Sequence, residues 1–249
     1  SGAPVSMPGV MDTILNVGLN RETLRGLIFL SGNPRFAWDT YRRFLLEFAR
    51  VIFRQDLSPY YLALRTILEA EGVADPIELN SGSLRDLAFQ YERIFFSGTG
   101  RRFPSDVQEQ LACAAEGVIR SWTNPRAEAY RRMNLIKEVR GTAVTIQMMV
   151  FGNMGETSGT GVCFSRNPST GENKFYGEYL MNAQGEDVVA GGPVFLLSPH
   201  CSRAVFANNA GWGIPTPRPC RVCSMAAPAN PVWRATALLA LLQRGGGAR

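Results

Sequence analysis

The chain has 249 residues, 45% hydrophobic and 19% charged, with a net charge of +5. That balance is ordinary for a globular protein that buries a sizeable core in one large domain or two small ones. No apolar run approaches the roughly 18 residues that cross a bilayer, and the start, SGAPVSMPG, has neither region of a signal peptide; with no initiator Met, the natural N-terminus is expected upstream.

In chain order, the first feature is the glycine-bearing loop Ser6-Met7-Pro8-Gly9, followed by Asp12 and Thr13. In Arg35–Arg54 the apolar residues Trp38, Tyr41, Leu45, Phe48 and Ile52 recur at spacings of three and four, with Arg42, Arg43 and Glu47 between them. This spacing predicts an amphipathic helix whose arginines face solvent. A second helix is expected over Val107–Trp122, with Ser105 and Gln108 as a capping box after Pro104 and Asn124-Pro125 as its stop.

After Gly141 the period becomes alternating. Val144, Ile146, Met148 and Val150 share one face of a strand predicted over Ala143–Phe151, and Thr145, Gln147, Met149 and Phe151 share the other. FGNMGETSGTGV, residues 151–162, then places four glycines in twelve residues. It has neither the lysine of a GxxxxGK[ST] phosphate loop nor the GxGxxG spacing of a dinucleotide fingerprint, and the residues alone leave a phosphate cradle and a plain strand connection both open. A hairpin follows, with GVCFS (161–165) and KFYGEYLMN (174–182) as strands around RNPSTGEN (166–173). QGEDVVAG (184–191) is expected to be a loop entering another strand. Helices first and an antiparallel region after them predict an α+β fold.

The last stretch differs from the rest. From Gly192 to Arg249 there is no Asp, Glu or Lys, while Arg203, Arg218, Arg221, Arg234, Arg244 and Arg249 supply the basic character. The body is therefore nearly neutral, which argues against a nucleic-acid partner. A shifted reading frame or an unusual splice would explain such a tail, as would a disordered basic extension. His200 with Cys201, Cys220 and Cys223 is weak as a zinc set, and five cysteines without framework spacing suit a reducing compartment.

SMPGVMDTILNVGLN (6–20), GNPRFAWDTYRRFLLEF (32–48), IRSWTNPRAEAYRRMN (119–134), GTAVTIQMMVFGNMG (141–155) and SGTGVCFSRNPSTGENKFYGEYLMNAQGEDVVAG (158–191) resemble the nucleotide-binding domain of the pyruvate, phosphate dikinase family, with a looser pattern shared by phosphoenolpyruvate synthase. The resemblance implies a partial ATP-grasp domain with a helical subdomain, followed by a non-native or disordered tail. It implies four segments: a phosphate-loop segment (1–20), a mainly helical subdomain (21–105), an α+β subdomain with the glycine-rich hairpin (106–191) and the basic tail (192–249). It also implies the family's reaction, in which ATP, phosphate and pyruvate give AMP, pyrophosphate and phosphoenolpyruvate through a phosphohistidine on a swivelling domain, with Mg2+ accompanying the ATP.

Carried over residue by residue, the resemblance places Ser6, Met7, Pro8 and Gly9 in the phosphate loop, with Asp12 and Thr13 opening a helix behind it, where a helix N-terminus favours an anion. Gln147 and Met149 fall on the adenine side, Glu186 near ribose or metal, and Arg166 within reach of phosphates. Arg42, Arg43, Arg126 and Arg131 are weaker candidates. Metal ligands stay unassigned, and no catalytic residue is expected, since the phosphohistidine domain and the pyruvate-binding barrel lie outside these matches. An arginine immediately before Ser1 and a lysine further upstream are expected to contact ATP in the family, and pyruvate and phosphate would be met only through those other domains.

ATP is thus the expected partner, with no nucleic acid and no membrane, and a homodimer is an option for the full-length family. The compartment is expected to be cytoplasm, plastid or another organelle. Two readings stay open: an ATP-binding fragment of a phosphotransferase that cannot complete the reaction alone, and a non-catalytic binding or regulatory module derived from the same domain.

Overall fold

In the computed structural model, the described residues are Met7, 10–136, 139–164, 166–167, 169–173 and 176–189, with the backbone of 195–197. They fall into two compact units that divide between Met149 and Val150. Six helices in the first and three short strands with one helix in the second make the protein α+β. Among the described residues, no helix is long and apolar enough to cross a membrane.

The first unit contains α1 (Arg21–Ser31), α2 (Pro34–Val51), α3 (Ser58–Glu71), α4 (Ser81–Thr99), α5 (Val107–Arg120) and α6 (Pro125–Met133). Asparagine side chains cap three of them. The Asn20 side chain accepts from the backbone N–H groups of Glu22 and Thr23, while the Thr23 hydroxyl closes a capping box on the Asn20 N–H. Asn33 accepts from Phe36, with Pro34 in the first turn, and Asn80 accepts from Gly82 and Ser83. Each bond occupies a donor that the helix cannot satisfy internally.

The core lies between α2 and α4. Phe36, Tyr41, Phe44, Leu45 and Phe48 of α2 are buried with Leu84, Leu87, Tyr91 and Phe95 of α4. Phe103 packs edge-on against Phe44, Phe48 and Phe95 at ring-centroid distances of 5.5, 5.1 and 5.3 Å, the geometry that aromatic quadrupoles favour. The expected stripe is present, with Ile52 just past the helix end.

Four expectations are corrected in this unit. Arg42 does not face solvent: it is 5% exposed and bonds the buried Asp39 carboxylate through Nε at 3.0 Å and a terminal nitrogen at 2.6 Å, while the half-buried Arg43 takes the other oxygen at 3.0 Å. Burial alone would raise the Asp39 pKa, but Arg42 and Arg43 outweigh it and hold the carboxyl below its ordinary value. The cap of α5 is Asp106, whose side chain accepts from Gln108 N–H at 3.1 Å, so Ser105 has no part in it; α5 ends at Arg120 and passes into a single 3-10 turn, Ser121–Thr123.

The other two concern backbone state. Asp12 and Thr13 open no helix, because residues 12–15 are non-helical and the first helix waits for the strong Asn20 cap. The strand expected over Ala143–Phe151 does not form beyond a single bridge at Ala143. A strand exists only when a neighbour takes up its backbone groups, and no described strand lies beside 144–149; Ile146 and Met148 of its apolar face are 68% and 86% exposed.

The second unit holds β1 (Gly159–Phe164), β2 (Tyr176–Met181) and β3 (Phe195–Leu197) in one antiparallel sheet of order β1-β2-β3, with α7 (Gly185–Val189) between the last two. The predicted hairpin forms, with Gly159 opposite Met181 and Phe164 opposite Tyr176. Asn167 shapes its turn, its side chain accepting from Ser169 and Thr170 N–H and its backbone bonding Gly171 and Glu172. The sequence of 184–191 reads as a loop entering another strand. Its first part is α7 instead, where the Asp187 carboxylate accepts from the Gln184 N–H at 2.8 Å and satisfies the orphan donor at the helix start.

Candidate functional site

Met7 and Val10 close a turn, the Val10 N–H donating to the Met7 carbonyl at 3.3 Å. Both side chains are buried with Ala127 in a small core that Met11, Trp122, Tyr130 and Ile136 flank. The segment is tied down again at Asp12, whose N–H donates to Ser121 Oγ at 3.3 Å and whose carboxylate accepts from Asn124 Nδ2 at 3.0 Å. Asn124 stands at the N-cap of α6 without bonding the helix itself; its side chain instead links Asp12 to Arg54, whose guanidinium donates to its Oδ1 at 3.1 Å. Thr13 is exposed beside it. Ser6, Pro8 and Gly9 lie outside the described residues.

Sequence reasoning passed over the residue that organises the chain after this segment. Gln110 of α5 is fully buried: its Oε1 accepts from Gly18 N–H at 2.8 Å, and its Nε2 donates to the carbonyls of Leu19 and Pro104 at 2.9 and 2.8 Å. One side chain thereby satisfies three backbone groups on two loops and fixes the path from Asp12 to α1. The only sequence signal is that Gln110 falls on the same helical face as Ala114 and Val118, where a polar residue needs partners.

Arg131 folds back over the same core, stacking on the Trp122 ring at 4.0 Å and donating to the Trp122 carbonyl at 2.7 Å, while Arg126 is exposed. Arg131 is thus a cation on an aromatic face. Gln147 is exposed and Met149 half-buried, on non-strand backbone.

In the second unit the glycine-rich stretch is stitched to the residues that precede Glu186. Gly152 accepts at its carbonyl from Ala183 N–H at 3.0 Å, Ser158 accepts from Asn182 N–H at 2.7 Å, and the Thr160 hydroxyl donates to the Ala183 carbonyl at 2.6 Å. Buried Gln184 reaches Asn153 Oδ1 at 3.3 Å. Gly152 is the glycine that this arrangement demands, since a Cβ there would collide with Thr160 Oγ1 and the Ala183 carbonyl. Glycine there allows the close approach of the two backbone segments.

Glu186 sits half-buried in the first turn of α7, next to Asp187. Arg166 is exposed, its guanidinium donating across the hairpin turn to the Gly171 carbonyl at 3.2 Å. The structure therefore brings together Met7 with Asp12 in the first unit, and the glycine-rich stretch with the approach to Glu186 in the second. Among the described residues, no three His, Cys, Asp or Glu side chains converge on a common point. A dedicated protein cage for a metal is not built by them.

The family description "Pyruvate phosphate dikinase, AMP/ATP-binding domain" matches residues 2–195. The chain is 52% identical over 191 residues to pyruvate, phosphate dikinase 1, chloroplastic, from Zea mays, and equally so to the protein of that name from Arabidopsis thaliana, covering 77% of this chain and 20% of each relative. Pyruvate, phosphate dikinase from Clostridium symbiosum is 51% identical over 192 residues, covering 77% of this chain and 22% of the relative. The chain thus spans about a fifth of the length of the curated relatives it matches.

Proposed function

The chain belongs to the pyruvate phosphate dikinase AMP/ATP-binding domain family, and from that premise we propose that it is the ATP-binding part of a dikinase-like phosphotransferase with an ATP-grasp arrangement. The observation that carries this reading is the family match across residues 2–195. The reaction proposed for the full-length protein converts ATP, phosphate and pyruvate to AMP, pyrophosphate and phosphoenolpyruvate. The 249-residue chain itself completes no turnover, because the phosphohistidine and pyruvate-binding parts belong to regions outside its matches.

Within this reading Ser6, Met7, Pro8 and Gly9 contact the nucleotide phosphates, with Asp12 and Thr13 behind them. The anchoring of Met7 and Asp12 on Ala127, Ser121 and Asn124 supports the role: a loop offering backbone N–H groups to phosphate must be held before the ligand arrives. Arg166 supplies a further cation to the phosphates once released from the Gly171 carbonyl. Gln147 and Met149 take the adenine, the backbone between 144 and 149, which lies in no strand among the described residues, offering N–H and C=O groups to the purine edge. Glu186 meets the ribose or steadies Mg2+. That ion would neutralise charge on the phosphate oxygens during transfer.

The segments 1–20, 21–105 and 106–191 are the proposed phosphate-loop, helical and α+β parts of the domain, with 192–249 as a tail foreign to it. Calorimetric titration with Mg·ATP tests the reading. The expected affinity is weaker than millimolar; tight Mg-dependent binding by the 249-residue chain, abolished in Glu186→Ala, would show a self-sufficient site and contradict it.

A further inference from the structure

One hollow of the first unit has none of the residues proposed for ATP in its lining. It is an open cleft of about 1190 Å³ between α1, the C-terminal half of α4 and the loop that leads into α5. Its base is neutral: Glu92 accepts from Tyr41 Oη at 2.8 Å and from the Arg21 guanidinium at 2.7 Å, and Arg21 lies 5.0 Å above the Phe89 ring. Its rim is basic. Arg25, Arg93 and Arg102 are exposed, and among the described residues none has a carboxylate partner, which leaves Glu22 as the single uncommitted acid of the cleft.

Two apolar features adjoin these cations. Phe96 lines the cleft at 51% exposure. Arg21 and Arg25 also line a second hollow, together with Leu24, Ile28 and Trp38. The two hollows share Arg21 and Arg25, and together they make a furrow along α1 that sets guanidinium groups beside apolar side chains.

We propose that this furrow docks an acidic amphipathic helix of a partner protein, with carboxylates meeting Arg25, Arg93 and Arg102 and an apolar stripe lying on Ile28, Trp38 and Phe96. Arginine and aromatic side chains are the groups that anchor such interfaces, and a groove of this kind reads apolar anchors at helical spacing. The cleft is larger than ordinary small-ligand pockets of about 300–1,000 Å³ and encloses nothing. A nucleic-acid backbone would gain nothing from the apolar groove and would meet Glu22. The basic stretch 192–249, with no Asp or Glu, has the wrong charge to be the occupant.

The test is fluorescence anisotropy of the 249-residue chain with three labelled probes: an amphipathic Leu/Glu peptide helix, its Leu/Lys counterpart and a single-stranded oligothymidylate. The Leu/Glu peptide should bind roughly tenfold or more tightly than the other two, with affinity falling as salt rises. Arg25→Glu with Arg93→Glu should cost at least about tenfold, and Ile28→Asp should weaken binding separately. All three positions lie outside the buried core, and unchanged far-ultraviolet circular dichroism shows that each variant folds. Equal binding of the Glu and Lys peptides, tighter binding of the oligothymidylate, or unchanged affinity in the folded variants would overturn the proposal.

Discussion

Replacing Asp39 with asparagine keeps the side chain's size and removes its charge, so no cavity term clouds the result. In the native protein both carboxylate oxygens are taken, one by Arg42 and the other by Arg43. The variant strands Arg42 at 5% exposure without a counter-charge. Breaking one side of such a buried pair costs about 3–5 kcal/mol, because the remaining ion keeps its desolvation penalty and loses its compensation. With a urea slope of about 1–3 kcal/mol/M, the midpoint for the helical unit should fall by roughly 1–5 M.

Asp39→Leu combined with Arg42→Met should recover most of that loss, since the two buried charges leave together and only the half-buried Arg43 gives up its bond to Asp39. The pH dependence has a definite sign. The folded pKa of Asp39 is depressed, so its contribution is full above the unfolded value of about 3.9 and is lost as pH falls through the depressed folded value. Asp39→Asn should lack that acid-sensitive component. Urea melts followed by circular dichroism at several pH values measure all three, and a single variant within about 1 kcal/mol of native would refute the reasoning.

The Tyr60 phenol, buried and packed against Tyr91, is pushed up to about 12, so its contribution is full below the ordinary value near 10 and lost as pH rises toward 12; phenolate absorbance should show a late step that shrinks in Tyr60→Phe, and an unchanged late step would contradict this. Gly152→Ala should destabilise the second unit by about 1–3 kcal/mol through overpacking, seen as faster amide exchange at Asn182 and Ala183. Asn124→Ala should cost about 0.5–1.5 kcal/mol and loosen the Asp12 segment, so exchange at the Asp12 amide should rise while that at Leu45 in the α2 core stays protected.

What was legible in the sequence was periodic. The α2 stripe and the β1–β2 hairpin follow from spacing and turn residues, which act locally. What escaped depended on partners far along the chain. Arg42 reads as solvent-facing until Asp39 and the burial of most of α2 are known, and Gln110 looks unremarkable until the Gly18, Leu19 and Pro104 backbone groups converge on it.

Ala143–Phe151 has strand alternation, but alternation supplies only a face, and a ladder needs a neighbour. At Asp12 a good capping residue stood in sequence where Ser121 and Asn124 had already claimed it. The family was legible from long stretches of matching residues, whereas the roles of Ser6 to Thr13, Gln147, Met149, Arg166 and Glu186 rest on the proposed nucleotide site.

Amide chemical-shift mapping during titration of the isotope-labelled 249-residue chain with millimolar Mg·ATP tests that site most directly. Weak binding is no obstacle, since fast exchange reports contact residue by residue. The account predicts shifts at Met7, Gly9, Asp12, Thr13, Gln147, Met149 and Glu186, larger with Mg·ATP than with Mg2+ alone. Absence of shifts at these positions, or shifts confined to the cleft along α1, would contradict it.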